Sequence, residues 1–138
     1  MPITRRLADV VIDLFTVTSP YSGSTIGNSD DVGVCGSSAD QGFGALLTPG
    51  STITIGQTTN TFDSQHTLRY GGAYPGDNVV ECVDDPDTKE LSYTNTGDHS
   101  VPVYFIVDAY SSSGAGDFVL VWSGDFVSGG EFSNLFSC

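Results

Sequence analysis

The sequence predicts an all-β chain that folds as a single-domain, jelly-roll-like β-sandwich of about eight antiparallel strands. Apolar and β-branched residues recur in short runs with period-two alternation, which is typical of strands whose side chains point to two opposite faces. Gly, Pro, Asn, Asp and Ser bound these runs, and no window of helical length carries an uninterrupted 3.6-residue apolar stripe. A chain of 138 residues with 38% hydrophobic residues is long enough for one domain with one buried core.

The clearest alternation lies in the last two predicted strands. Val103, Phe105 and Val107 point to one face of their strand, whereas Tyr104 and Ile106 point to the other. Because both faces are apolar, we expect these two strands to lie in the centre of a sheet. In chain order, the predicted strands cover residues 9–17, 42–47, 51–57, 65–70, 78–83, 89–95, 101–109 and 117–123.

Turn residues separate the predicted strands. Pro49-Gly50 precedes the third strand, and Pro75-Gly76-Asp77 precedes the fifth. The glycine- and serine-rich residues 111–116 join the last two strands as a hairpin loop rather than as a linker between domains. The chain therefore divides into an N-terminal strand or arm (1–20), the sandwich (21–123) and a C-terminal tail (124–138), which either caps its own core or reaches a neighbour.

Two interpretations fit the N-terminal segment. Val11, Leu14 and Phe15 form an ordinary first strand, or this strand leaves its own sandwich and completes a sheet of the next subunit. The second interpretation makes these three residues an assembly strand, because open sheet edges recruit strands and contacts that do not close build filaments.

The charge balance is strongly acidic: 17 Asp and Glu stand against 4 Lys and Arg, for a net charge of -13. This field repels nucleic acid and attracts divalent cations or basic proteins. Charged residues make up only 15% of the chain, and the hydroxyl- and amide-rich remainder favours a secreted, extracellular or cell-surface location. No segment approaches the roughly 18 apolar residues of a membrane span, so we expect no membrane insertion.

Three isolated cysteines, Cys35, Cys82 and Cys138, predict one disulfide and one odd thiol. They include no C-x-x-C pair and have no histidine at metal-ligand spacing, which argues against zinc. The spacing does not decide which two cysteines pair. The odd cysteine is either a buried, inert thiol or a link to another chain.

Five segments between Tyr21 and Ser123, about three quarters of the chain, resemble the bacterial pre-peptidase C-terminal domain in their order along the chain and their spacing. The resemblance implies a small β-sandwich without a catalytic centre that serves export, adhesion, substrate attachment or assembly, and in some relatives a carboxylate cluster holds calcium. We expect the module to stand without an enzyme beside it, and the tail after Ser123 lies outside the family pattern. The segments are Ser22-Gly-Ser-Thr-Ile-Gly, Phe62-Asp-Ser followed by Thr67-Leu-Arg-Tyr-Gly-Gly, Val79-Val-Glu-Cys-Val-Asp-Asp, Val103-Tyr-Phe-Ile-Val-Asp-Ala-Tyr and Gly116-Asp-Phe-Val-Leu-Val-Trp.

Five carboxylates are candidate ligands for Ca²⁺, the one cofactor that we consider. Asp84, Asp85 and Asp87 follow a predicted strand, and Asp63 and Asp108 lie on elements that a sandwich can bring close to them. A solvated acidic turn explains the same residues, since Asp side chains bond to the backbone of turns. Both interpretations remain open.

The sequence does not predict an enzyme. His66 has Asp63 and Ser64 nearby in sequence, but a catalytic triad converges from separate elements, and His99 lies in a turn. A platform for glycans would require exposed aromatic rings on one face. The candidate rings are Tyr70, Tyr74, Tyr93 and Tyr110.

We therefore expect a non-catalytic, secreted structural module that self-assembles as the subunit of an extracellular filament or matrix. The alternative is a glycan- or calcium-binding adhesion module of a secreted or cell-surface protein. The expected partners are copies of the same chain and, in the alternative, glycans.

Overall fold

The computed structural model describes residues 11–27, 40–109 and 114–128. Within these residues the chain forms ten strands and one 3-10 turn, Leu14–Thr16. The strands are β1 Val11–Asp13, β2 Tyr21–Ser24, β3 Gln41–Leu47, β4 Thr52–Asn60, β5 Ser64–Tyr70, β6 Asn78–Val83, β7 Leu91–Thr94, β8 Val101–Ala109, β9 Asp117–Ser123 and β10 Phe126–Val127.

Two sheets pack face to face, which confirms the predicted β-sandwich. The six-stranded sheet has the order β1-β3-β8-β5-β6, and β10 also pairs with β3. The four-stranded sheet has the order β2-β9-β4-β7. One pairing departs from the predicted antiparallel arrangement, because β1 runs parallel to β3 with Val11 opposite Gly42.

Strand β8 lies in the centre of the six-stranded sheet and is buried on both faces. Val103, Phe105 and Val107 contribute to the main core between the sheets. Tyr104 and Ile106 belong to a second, smaller cluster on the opposite face of the same sheet. The alternation predicted for this strand is therefore confirmed.

The main core is organised around Phe43, which is fully buried. Its ring makes edge-to-face contacts with Tyr21, at 5.8 Å between centroids, and with Phe118, at 5.9 Å. Gly23 leaves room for Phe118, since a Cβ at position 23 would lie 2.7 Å from the Cζ atom of that ring. Phe43 thus links β3 of one sheet to β2 and β9 of the other.

The loop between β5 and β6 covers the outer face of the six-stranded sheet. Tyr74 packs edge-to-face on Tyr104, with ring centroids 5.4 Å apart. Arg69 holds this loop by donating from Nε to the Pro75 carbonyl at 3.1 Å and from a terminal nitrogen to the Gly76 carbonyl at 2.9 Å. Burial, with a smaller effect of nearby negative charge, raises the pKa of Tyr104 to about 12, so its hydroxyl remains a donor.

The first strand is shorter than predicted, because it ends at Asp13. The Asp13 carboxylate accepts a hydrogen bond from the Phe15 amide at 3.0 Å and begins the 3-10 turn. Val11 and Leu14 are buried in their own sandwich, whereas Phe15 is 51% exposed. An exchange of this segment between subunits stays a prediction, and residues 9 and 10 lie outside the described residues.

Two strands were not predicted. Strand β2 lies at one edge of the four-stranded sheet, where it pairs with β9. Strand β10 comes from the segment predicted as a tail, and it pairs with the end of β3. Strand β4 also extends beyond its predicted end, because a bulge between Gln57 and Thr59 lets the pairing with β9 continue. No helix within the described ranges is long and apolar enough to cross a membrane.

Candidate functional site

The strand register brings a set of carboxylates to one end of the sandwich. Strand β4 ends here and β5 and β9 begin here, since Asn60 pairs with Phe118 and Ser64 pairs with Ala109. Of the two cations among the described residues, only Lys89 is near this end, and it is neutralised by Glu81 at 2.6 Å. We call this region the acidic end, defined by the carboxylates of Asp63, Asp84, Asp85, Asp87, Glu90 and Asp117.

Asp87 ties together the two loops that carry most of these carboxylates. Its Oδ2 atom accepts hydrogen bonds from the Asn60 side-chain amide at 3.1 Å and from the Ser64 backbone N–H at 3.3 Å. Its carbonyl accepts a further bond from Gln57 Nε2 at 3.1 Å. Because Asn60 and Gln57 also donate to the Ser64 hydroxyl, the β6–β7 loop is fixed to the β4–β5 loop.

A buried histidine lies beneath the β6–β7 loop. The Nε2 atom of His66 is 2.9 Å from the Lys89 carbonyl, and the ring centroid is 5.5 Å from that of Phe105. Burial lowers the pKa of His66, and the hydrogen bond to Lys89 and the charges of Asp87 and Glu81 oppose this effect only in part. The imidazole is therefore neutral at neutral pH and serves as a support for the loop.

Three of the predicted metal ligands lie close enough to a fourth, Asp63, to act on its carboxyl group. Partial desolvation, followed by the negative charges of Asp87, Asp84 and Asp85, raises the pKa of Asp63. Asp108 is buried opposite Gln65 in the six-stranded sheet, where its Oδ1 accepts from the Ala109 N–H at 2.8 Å.

The described ranges contain no group of three or more His, Cys, Asp or Glu residues arranged to hold a metal ion. The acidic residues come together without the geometry of a coordination shell, so calcium stays a prediction.

Of the predicted disulfide cysteines, Cys82 lies on β6 and is disulfide-bonded. Cys35 and Cys138 lie outside the described residues, so the pairing stays a prediction.

A groove lies on the outer face of the four-stranded sheet, beside the acidic end. It has a volume of about 510 Å³. The strand register places the side chains of the groove in two rows across the sheet. In the first row, Val119 of β9 pairs with Ser22 of β2 and Thr59 of β4. In the second row, Asp117 of β9 pairs with Ser24 of β2. Thr61 completes the second row through its hydrogen bonds to Asp117. The full lining consists of Tyr21, Ser22, Gly23, Ser24, Thr59, Thr61, Asp117, Phe118 and Val119.

Reciprocal hydrogen bonds hold the acidic side of the groove. Thr61 donates its N–H to the Asp117 carbonyl at 2.9 Å, and the Asp117 N–H donates to the Thr61 hydroxyl at 2.9 Å. Thr25 and Gly116 make the same kind of exchange, at 2.9 and 3.1 Å. These bonds use backbone groups of Asp117, and its exposed carboxylate makes no ion pair or hydrogen bond with another described residue.

Sequence reasoning missed this groove because none of its residues stands out in the sequence. Ser22, Thr59 and Asp117 are common surface residues, and only the pairing of β2 and β4 with β9 brings them together. The acidity of the Asp84–Asp87 region was visible in the sequence, but its proximity to Asp63 depends on the Asp87 bonds.

The candidate tyrosines that the structure describes do not form the platform that a glycan site would need. Tyr70 and Tyr93 stack on each other, with centroids 4.2 Å apart and planes inclined by 19°, so each ring covers a face of the other. Tyr74 is buried on the outer face of the six-stranded sheet. Tyr110 lies outside the described residues.

The fold is similar to that of a known inhibitor. The crystal structure of Aeromonas hydrophila PliG, a periplasmic lysozyme inhibitor of g-type lysozyme, matches with a TM-score of 0.53 and 12% sequence identity, covering 84% of this chain and 96% of that chain. At this identity the likeness shows the fold. No protein-family model and no curated protein sequence matches the chain. The resemblance to the pre-peptidase C-terminal domain therefore stays a prediction.

The prediction of a self-assembling filament subunit is wrong. PliG, whose structure is similar to this one, is an inhibitor of another protein and not a filament subunit. Neither self-association nor glycan binding gains support from the structure.

Replacing Asp87 by Ala should loosen the acidic end. The change leaves the Ser64 N–H without its acceptor and the Asn60 amide with only the Ser64 hydroxyl, which should lower the free energy of unfolding by about 1–3 kcal/mol. Urea unfolding measures this loss, and hydrogen exchange should be faster at the Ser64 amide. Asp84→Ala is the control, since Asp84 is exposed and makes no hydrogen bond with another described residue. Equal stability of the two variants would contradict the role given to Asp87.

The buried His66 predicts a pH dependence of stability. Because its folded-state pKa lies below the unfolded value of 6.5, the unfolded chain binds the proton more tightly. The stability that the neutral His66 contributes to the fold is therefore complete above about pH 6.5, and it is lost as the pH falls towards the lowered folded-state pKa. His66→Gln keeps an N–H donor but does not titrate. The stability advantage of the wild type over this variant should shrink between pH 7.5 and pH 5 in urea unfolding, and parallel curves would refute the prediction.

Proposed function

We propose that this chain is a non-catalytic, protein-binding domain of the cell envelope or extracellular space, and that it inhibits a lysozyme by presenting its acidic end to a basic surface. The observation that carries the proposal is the concentration of exposed carboxylates on two loops held together by Asp87. The likeness in fold to PliG supports the choice of partner, and g-type lysozyme is the first to test.

Charge supports a basic partner. The chain has a net charge of -13, and the described part of the acidic end has one cation, Lys89, which is already paired with Glu81. A surface of one sign accelerates association with a partner of the opposite sign and disfavours partners of the same sign. The same field disfavours nucleic acid, whose phosphates it repels.

The rigidity of the two acidic loops favours a protein partner over a small ion. The hydrogen bonds of Asp87, Asn60 and Gln57 fix the two acidic loops relative to each other before any partner arrives. A preorganised surface loses less conformational entropy on binding than a mobile loop does. Loops that lie beside a groove of about 510 Å³ also offer a broader contact than carboxylates alone.

The proposal predicts that g-type lysozyme binds this chain and loses activity. Isothermal titration calorimetry should give a complex whose affinity falls steeply between 50 and 500 mM NaCl, because screening weakens the attraction between exposed charges. Inhibition of cell-wall hydrolysis should follow the same salt dependence. A c-type lysozyme measured in parallel shows whether the interaction depends on more than positive charge.

Two double variants that each remove two negative charges test which end of the sandwich binds the lysozyme. Asp63→Asn/Asp84→Asn removes two charges from the acidic end. Asp77→Asn/Asp98→Asn removes two from the opposite end, where the β5–β6 and β7–β8 loops lie. The first pair should raise Kd on the order of tenfold, mostly through slower association, and the second should have little effect. Equal effects of the two pairs would show attraction by net charge alone. The absence of binding to either lysozyme at low salt would refute the proposed partner.

A further inference from the structure

The groove beside the acidic end has chemistry that the proposed function does not explain. Its central strand, β9, contributes Asp117 and Val119, which point to the same face because they are two residues apart. Ser22 and Thr59 flank Val119 on the neighbouring strands, and both are exposed. The result is one carboxylate and one aliphatic side chain between hydroxyl groups.

We infer that this groove receives an arginine side chain of the partner protein, with Asp117 as the counter-ion and specificity-determining residue. A guanidinium group carries five N–H donors and no acceptor, and it pairs with a carboxylate through two parallel hydrogen bonds. The Ser22 and Thr59 hydroxyl oxygens supply further acceptors, and Val119 contacts the aliphatic stem. This inference rests on the proposed function, since it names the group by which the partner is recognised.

Three features of the groove favour a cation over other ligands. The Asp117 carboxylate makes no ion pair or hydrogen bond with another described residue, whereas Thr61 and Ser24 are already bonded to backbone groups. The surrounding acidic end repels anions. Sugars normally stack on an exposed ring, but the rings of Tyr21 and Phe118 pack on Phe43 in the core.

The position of Asp117 is fixed before a ligand binds. Its backbone N–H and carbonyl are both held by Thr61, and the preceding residue, Gly116, is held by Thr25. Since the side chain of Asp117 takes no part in these bonds, Asp117→Asn removes the charge and leaves the framework in place. This variant therefore separates recognition from folding.

The test is a titration of ¹⁵N-labelled chain with N-acetyl-arginine amide, followed by amide chemical shifts. The inference predicts saturable shifts at residues 22, 59 and 117–119 with a millimolar Kd. The Kd should rise at least fivefold in Asp117→Asn and stay unchanged in Asp98→Asn, which removes one charge at the opposite end. The citrulline analogue has the same shape without the charge and should cause no shift, and the lysine analogue should bind more weakly than the arginine one.

Three results would overturn the inference: shifts of equal size with citrulline, an unchanged Kd in Asp117→Asn, or shifts spread evenly over exposed carboxylates away from the groove. Measuring the same variants with g-type lysozyme separates the two proposals. If arginine amide binds the groove and no lysozyme binds, the inference stands and the proposed partner is wrong. If lysozyme binds the wild type and Asp117→Asn equally well, the proposed function stands and the inference is wrong.

Discussion

The burial of β8 on both faces is the constraint on which the rest of the structure depends. All residues from Val103 to Ala109 are buried, which requires a layer of side chains on each side of the six-stranded sheet. The four-stranded sheet covers one face through Phe118 and Leu120, and the β5–β6 loop covers part of the other through Tyr74. Pairing along most of β8 then fixes β3 and β5, and with β5 the position of Ser64, where the β4–β5 loop ends.

The positions of the carboxylates at the acidic end therefore follow from the strand register. Ser64 begins β5 opposite Ala109, and this position allows its N–H to reach the Asp87 carboxylate. A one-residue slip would turn the buried side chains of β5 outwards and break this bond. The hydrophobic core and the candidate binding surface thus share one geometric requirement, and the repulsion among the exposed carboxylates is opposed by the stability of the core.

The sequence was most informative where apolar residues alternate. Val103, Phe105 and Val107 identified β8 and its two faces correctly, because burial on both faces leaves a long apolar run. Strand β2 was missed because Tyr21-Ser-Gly-Ser has little apolar content, and Gly23 is explained only by the ring of Phe118 beside it. The acidic residues were visible, but the burial of Asp108 could not be predicted, since it depends on the pairing of β5 with β8. The groove around Asp117 required three strands to be aligned, which no local pattern encodes.

The central claim is that the acidic end and its groove form the surface that meets a basic protein partner. The most direct measurement is hydrogen exchange of the chain with and without saturating g-type lysozyme at low salt, read peptide by peptide. The account predicts slower exchange at residues 58–64, 84–90 and 117–119, and unchanged exchange at the opposite end, at residues 48–51 and 95–100. Protection confined to the opposite end, or spread evenly over the sandwich, would contradict it.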